Sequence, residues 1–70
     1  MSDLDQRLLA AHAADDRQAL VTLYTRAADT AHDDAARGFY LTHAYVFALD
    51  TGHPEANRLR TRLRAMGRED

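Results

Sequence analysis

Apolar residues along this chain recur with the spacing of helices. Leu20, Leu23, Tyr24, Ala27, Ala28 and Ala31 fall at i, i+3, i+4, i+7, i+8 and i+11, one continuous stripe on a helix of 3.6 residues per turn. Ahead of it, Leu4, Leu8, Leu9 and Ala11 follow one face of a first helix, with Ser2 as its cap and Asp5 three positions on. Asp15-Asp16 breaks that run and caps the second helix, and Asp33-Asp34 caps a third. The third segment holds Phe39, Tyr40, Leu41, Ala44, Tyr45, Val46, Phe47, Ala48 and Leu49, leaving Thr42, His43 and Asp50 as its main polar strip. A helix apolar over most of its circumference needs cover on more than one side, so it is expected at the centre. Gly52 ends it, and Pro54 is expected at the first position of a fourth helix, whose narrow stripe is Ala56, Leu59, Leu63 and Met66 before Gly67. The expectation is an all-α fold: one domain over residues 1–70, four short helices as two helical hairpins.

Length sharpens this. Seventy residues bury only roughly 60% of the surface exposed on unfolding, and chains of this size usually add a disulfide, a metal or a partner. Cysteine is absent, which removes disulfides and thiolate sites. Self-association is therefore expected, as a homodimer. Leu41, Tyr45 and Leu49 would share an open side of the third helix, with Tyr40 and Phe47 in the core. The acidic start Met1-Ser2-Asp3-Leu4-Asp5 has no signal-peptide pattern, and no apolar run spans a membrane, so a cytoplasmic location is expected. Arginine supplies every basic residue and alanine is abundant, a codon signature of GC-rich bacteria.

Shifting the chain by 36 residues brings Leu4 onto Tyr40, Leu8 onto Ala44, Ala11 onto Phe47, Leu23 onto Leu59 and Ala27 onto Leu63. A helix-turn-helix unit of this period resembles the tetratricopeptide repeat family, as two units over nearly the whole chain. Its large, small and aromatic positions would fall on Leu4, Leu8, Ala11, Leu20, Tyr24 and Ala27, then on Tyr40, Ala44, Phe47, Ala56 and Leu63. Arg7 and His43 stand where that family has apolar residues, and Arg60 where it has an aromatic. The resemblance implies a concave face that binds extended peptides, lined here by Asp5, Leu9, His12, Leu41, Tyr45 and Ala48; Leu49 joins the partner-binding set from the open side of the third helix. The carboxylate clamp of chaperone-tail-binding members is missing.

Candidate chemistry adds little. His12 precedes Asp15-Asp16 and His32 precedes Asp33-Asp34, yet no two histidines stand at i, i+3 or i+4, so both clusters read as helix ends with capping acids. His43 and Asp50 lie two turns apart, beyond a direct hydrogen bond. No nucleophile elbow or glycine-rich phosphate loop occurs. Catalytic residues, cofactors and metals are accordingly not expected. Residues 1–53 hold eight acids against four Arg, whereas residues 54–70 hold five Arg against three acids. Arg58, Arg60, Arg62 and Arg64 could meet phosphates, but their spacing spreads them around the helix and the acidic body would repel a duplex. The expected function is non-enzymatic protein–protein interaction, with an Arg-dependent nucleic-acid-associated protein as the alternative.

Overall fold

A computed structural model describes residues 2–67, and over them the chain is all-helical. Its helices are α1 (Asp3–Ala13), α2 (Arg17–Thr30), α3 (Asp34–Thr51) and α4 (Ala56–Ala65). The boundaries follow local hydrogen-bond chemistry. Ser2 Oγ accepts the Asp5 amide (3.1 Å) and Asp33 Oδ1 the Ala36 amide (2.7 Å), which satisfies donors that each first turn leaves unpaired. Between α1 and α2 the Asp15-Asp16 pair breaks one helix and caps the next, as expected. Asp15 takes a left-handed backbone (φ 53°), a conformation Asp tolerates better than most residues, and Asp16 caps α2 through the Ala19 amide.

Gly52 (φ 63°) ends α3 in a doubly bonded turn. The His53 amide reaches the Ala48 carbonyl (2.8 Å) and the Gly52 amide that of Leu49 (3.4 Å). Pro54 does not open α4 as expected. It lies in a turn two residues earlier, where His53 Nδ1 accepts the Glu55 amide and the His53 carbonyl accepts that of Ala56. The imidazole thus holds the turn that places α4, which has no side-chain cap of its own.

The helices pack in chain order, α1 on α2, α2 on α3 and α3 on α4, with α2–α3 the most extensive contact. The Cα envelope measures 32 × 28 × 13 Å, so the helices form a flattened array. One core cluster joins Val21, Ala28, Leu41, Ala44, Ala48, Leu59 and Leu63; a smaller one joins Ala11, Leu20 and Leu23. Tyr24 and Phe47 pack against both and link them. Among the described residues no polar or charged side chain is buried. Arg62 ties α4 to Asp29 of α2 at 2.8 Å.

The facing of α3 differs from the expected one. Leu41 and Ala48 are wholly enclosed, Tyr45 is half-buried against the larger cluster, and only Leu49 of that set is exposed. Leu41, Tyr45 and Leu49 therefore do not form a shared open side. The cause is that α3 carries α2 and α4 on adjoining flanks, which encloses the 41/44/48 side. Its open side is instead Phe39, Thr42, Val46, Leu49 and Asp50, with His43 partly covered. Leu9, read with the inward stripe of α1, also faces solvent, because it lies well away from Ala11 around the helix. Tyr40 and Phe47, expected as core, are half-buried rather than enclosed.

Candidate functional site

Among the described residues four large apolar side chains are left exposed, all on α1 and α3: Leu9 (59%), Phe39 (56%), Val46 (49%) and Leu49 (57%). On α3, Phe39, His43, Val46 and Asp50 follow the i, i+4, i+7, i+11 spacing of one face. On α1, Asp5, Leu9 and His12 do the same and are all exposed. Between the two helices runs a groove floored by α2.

Half of the groove is filled by rings. Tyr24 rises from α2, and its hydroxyl shares a hydrogen bond with His12 Nε2 of α1 at 2.8 Å. Its ring is stacked near Phe47 (centroids 6.0 Å apart) and tilted over His43 (5.1 Å). Phe39 meets His43 at 4.3 Å and Tyr40 at 5.6 Å, while His12 meets Phe47 edge-on at 6.0 Å. Six rings from three helices thus form one continuous surface, half-buried at Tyr24 and exposed at Phe39. Edge-to-face and offset ring contacts add to what burial alone contributes.

The other half is open. A depression of about 310 Å³ lies between the N-terminal turns of α1 and α3, with Leu4, Leu8, Ala27, Ala31 and Ala36 as apolar lining. Tyr40 forms one wall, and Asp5, His32 and Asp33 complete the rim.

Burial pushes the Tyr24 hydroxyl above its usual pKa of 10.0, and the neighbouring Tyr40 hydroxyl adds to this. Such a phenol stays protonated at neutral pH, so its bond to His12 fixes ring positions rather than supplying a base. Because the raised value favours the protonated form in the folded state, this contribution to stability is complete below pH 10 and is lost as pH rises further. Unfolding measured from pH 7 to 11 should show a decline above pH 10 that is smaller in Tyr24→Phe.

Of the residues expected to bind a partner, Leu9, His12 and Leu49 are exposed, and Leu9 and His12 share the α1 face beside the groove. Tyr45 is partly accessible. Leu41 and Ala48 belong to the core and have no access to a partner. Sequence reasoning left Phe39 and Val46 out of the partner-binding set, and it missed the Tyr24–His12 pair. Phe39 and Val46 share the face of His43 and Asp50, and that spacing could have found them.

The other candidates resolve as follows. Asp16 and Asp33 serve as caps, and among the described residues no group of three His, Asp or Glu side chains could hold a metal ion. Asp50 lies 3.9 Å from Arg17, which also meets Asp15 at 3.3 Å. On α4, Arg58 pairs with Glu55 (3.5 Å) and Arg62 with Asp29, while Arg60 and Arg64 point to solvent; Arg68 lies outside the described residues. No helix among the described residues is long and apolar enough to cross a membrane. No protein-family model, curated protein or solved structure matches this chain.

Proposed function

We propose that this chain is a non-enzymatic protein–protein interaction module of helical-hairpin type, working through the α1–α3 face. The observation that carries the reading is the exposure of Leu9, Phe39, Val46 and Leu49 around a surface of six rings. Apolar residues scattered singly are ordinary on a monomer, but Phe39, Val46 and Leu49 adjoin by helical spacing on α3 beside an aromatic groove, and such a set favours a contact surface. Aromatic side chains also dominate the energetics of such surfaces, since they present large, stiff contact areas. The likeness to tetratricopeptide repeats supports the same reading, because it implies that the first helix of each hairpin lines the binding face.

A second copy of the chain is one occupant that this surface admits, through the flank of α3 that exposes Val46 and Leu49. A two-fold axis would let that flank cover itself and add burial that seventy residues alone barely reach. Leu49→Glu is the cleaner variant here: Tyr45 packs against the core, so Tyr45→Glu would also weaken the fold.

Charged substitutions on the exposed face should separate assembly from stability. Phe39→Glu, Val46→Glu and Leu49→Glu are each expected to change unfolding free energy by about 0.5 kcal/mol or less, as surface changes do. In native gel filtration of extracts from the source cells, the parent chain should elute well above 7.9 kDa and the triple variant near it. Elution of both at the size of a free chain would remove the proposal's support. Sedimentation equilibrium on the purified protein then tells a second copy from a different partner.

A further inference from the structure

Charge is divided within the groove in a way that selects a partner. The open depression at its N-terminal half is lined by two carboxylates, Asp5 and Asp33, with the His32 imidazole beside them, and by no arginine, although the chain has nine. Among the described residues the Asp5 carboxylate and the Tyr40 hydroxyl have no hydrogen-bond or ion-pair partner. Asp33 commits Oδ1 to the Ala36 amide and keeps a second oxygen. Arg37, one turn into α3, is engaged by Asp34 (2.9 Å) and the Ala31 carbonyl (3.2 Å), so it does not neutralise the rim. Beneath the acids the lining is aliphatic, and Tyr40 belongs both to this depression and to the ring surface beside it.

We infer that the α1–α3 groove seats a basic–apolar segment of another protein, with an Arg or Lys in the Asp5–Asp33–Tyr40 depression and an apolar side chain on Phe39 and Val46. This rests on the interaction-module reading above and names the chemistry of its partner. A long basic side chain suits the depression because its methylene stem lies on Leu4, Leu8 and Ala36 while its head reaches the carboxylates. The Tyr40 ring offers the same cation a π face. An acidic segment would set like charges against each other at both carboxylates. The exposed cations of α4 in a second copy come without an apolar anchor beside them: its solvent face is Asn57, Arg60, Thr61 and Arg64, with no large apolar residue among them. The distance from the depression to Phe39 is about one helical turn, which an extended partner crosses in a few residues.

The test uses end-capped peptides in a Gly/Ser background, each with one Phe and one Arg separated by zero to six residues. Matched sets carry Lys, Gln or Glu in place of the Arg. Binding is read from amide shifts of the ¹⁵N-labelled full chain. The Arg and Lys sets should bind about tenfold tighter than the Gln set, the Glu set weakest, with shifts centred on Leu4, Leu8, Ala36 and Tyr40. In Asp5→Asn/Asp33→Asn the Arg set should fall to the level of the Gln set; Asn retains the cap at position 33, so this variant folds. Equal binding of all four sets, lost in Phe39→Ser, would overturn the basic-residue inference and leave the interaction module standing. Absence of binding by every set would also overturn it. Self-association abolished by Arg60→Gln/Arg64→Gln and by Asp5→Asn/Asp33→Asn would assign the groove to a second copy and overturn it too.

Discussion

Leu41→Ala is expected to leave a large fraction of the protein unfolded, with a loss of about 2–5 kcal/mol. Leu41 has no solvent exposure and sits in the cluster that joins α2, α3 and α4 through Val21, Leu59 and Leu63. Truncation removes its transfer free energy and also opens a cavity that three helices border, with little freedom to collapse. Domains hold roughly 0.05–0.15 kcal/mol per residue, so the whole stability here is on the order of 3–10 kcal/mol, and one such cavity consumes much of it. Arg60→Ala, on the solvent face of α4, should stay within about 0.5 kcal/mol. Urea unfolding of the two variants ranks them. A small effect at Leu41 would mean that α3 is rotated from the position described.

The second large effect is expected from adding volume. Ala28, Ala44 and Ala48 are all fully buried in the cluster that spans the α2–α3 contact, and their small side chains let the two helices approach closely. Ala48→Leu should destabilise by about 1–3 kcal/mol, because a larger side chain forces strained rotamers or pushes the helices apart. Helix propensity does not account for such a loss, since Leu ranks close to Ala. Thermal melts of Ala48→Leu and of the exposed control Ala13→Leu separate the two causes. Equal melting temperatures would show that the contact is loose.

Four helices were legible in the sequence because their ends carry chemistry of their own. Ser2, Asp33 and Gly52 do what short polar side chains and glycine do at helix termini, and the stripes of α2 and α4 predict their buried sides well. Val21, almost fully buried, was left out of the α2 stripe although it stands three residues before Tyr24 and seven before Ala28, on the edge of that same face. Pro54 misled because His53 supplies a turn of its own ahead of α4.

The site was less legible than the fold. Periodicity shows that α3 is apolar nearly all round, but the arrangement of its neighbours decides which side stays open. Leu41 and Ala48 are equivalent by the 36-residue shift to Asp5 and His12, yet the first pair is enclosed and the second exposed. The Tyr24–His12 bond joins residues twelve apart on different helices, a pairing that no local spacing encodes.

The account's central claim is that the α1–α3 face meets another protein. Site-specific photo-crosslinking in the source cells tests it most directly, with p-benzoylphenylalanine placed at position 39 in one strain and at position 60 in another. The account predicts a discrete adduct of higher mass from position 39, weakened by Val46→Glu in the same chain, and no comparable adduct from position 60. Adducts from position 60 alone, or none from either position, would contradict it.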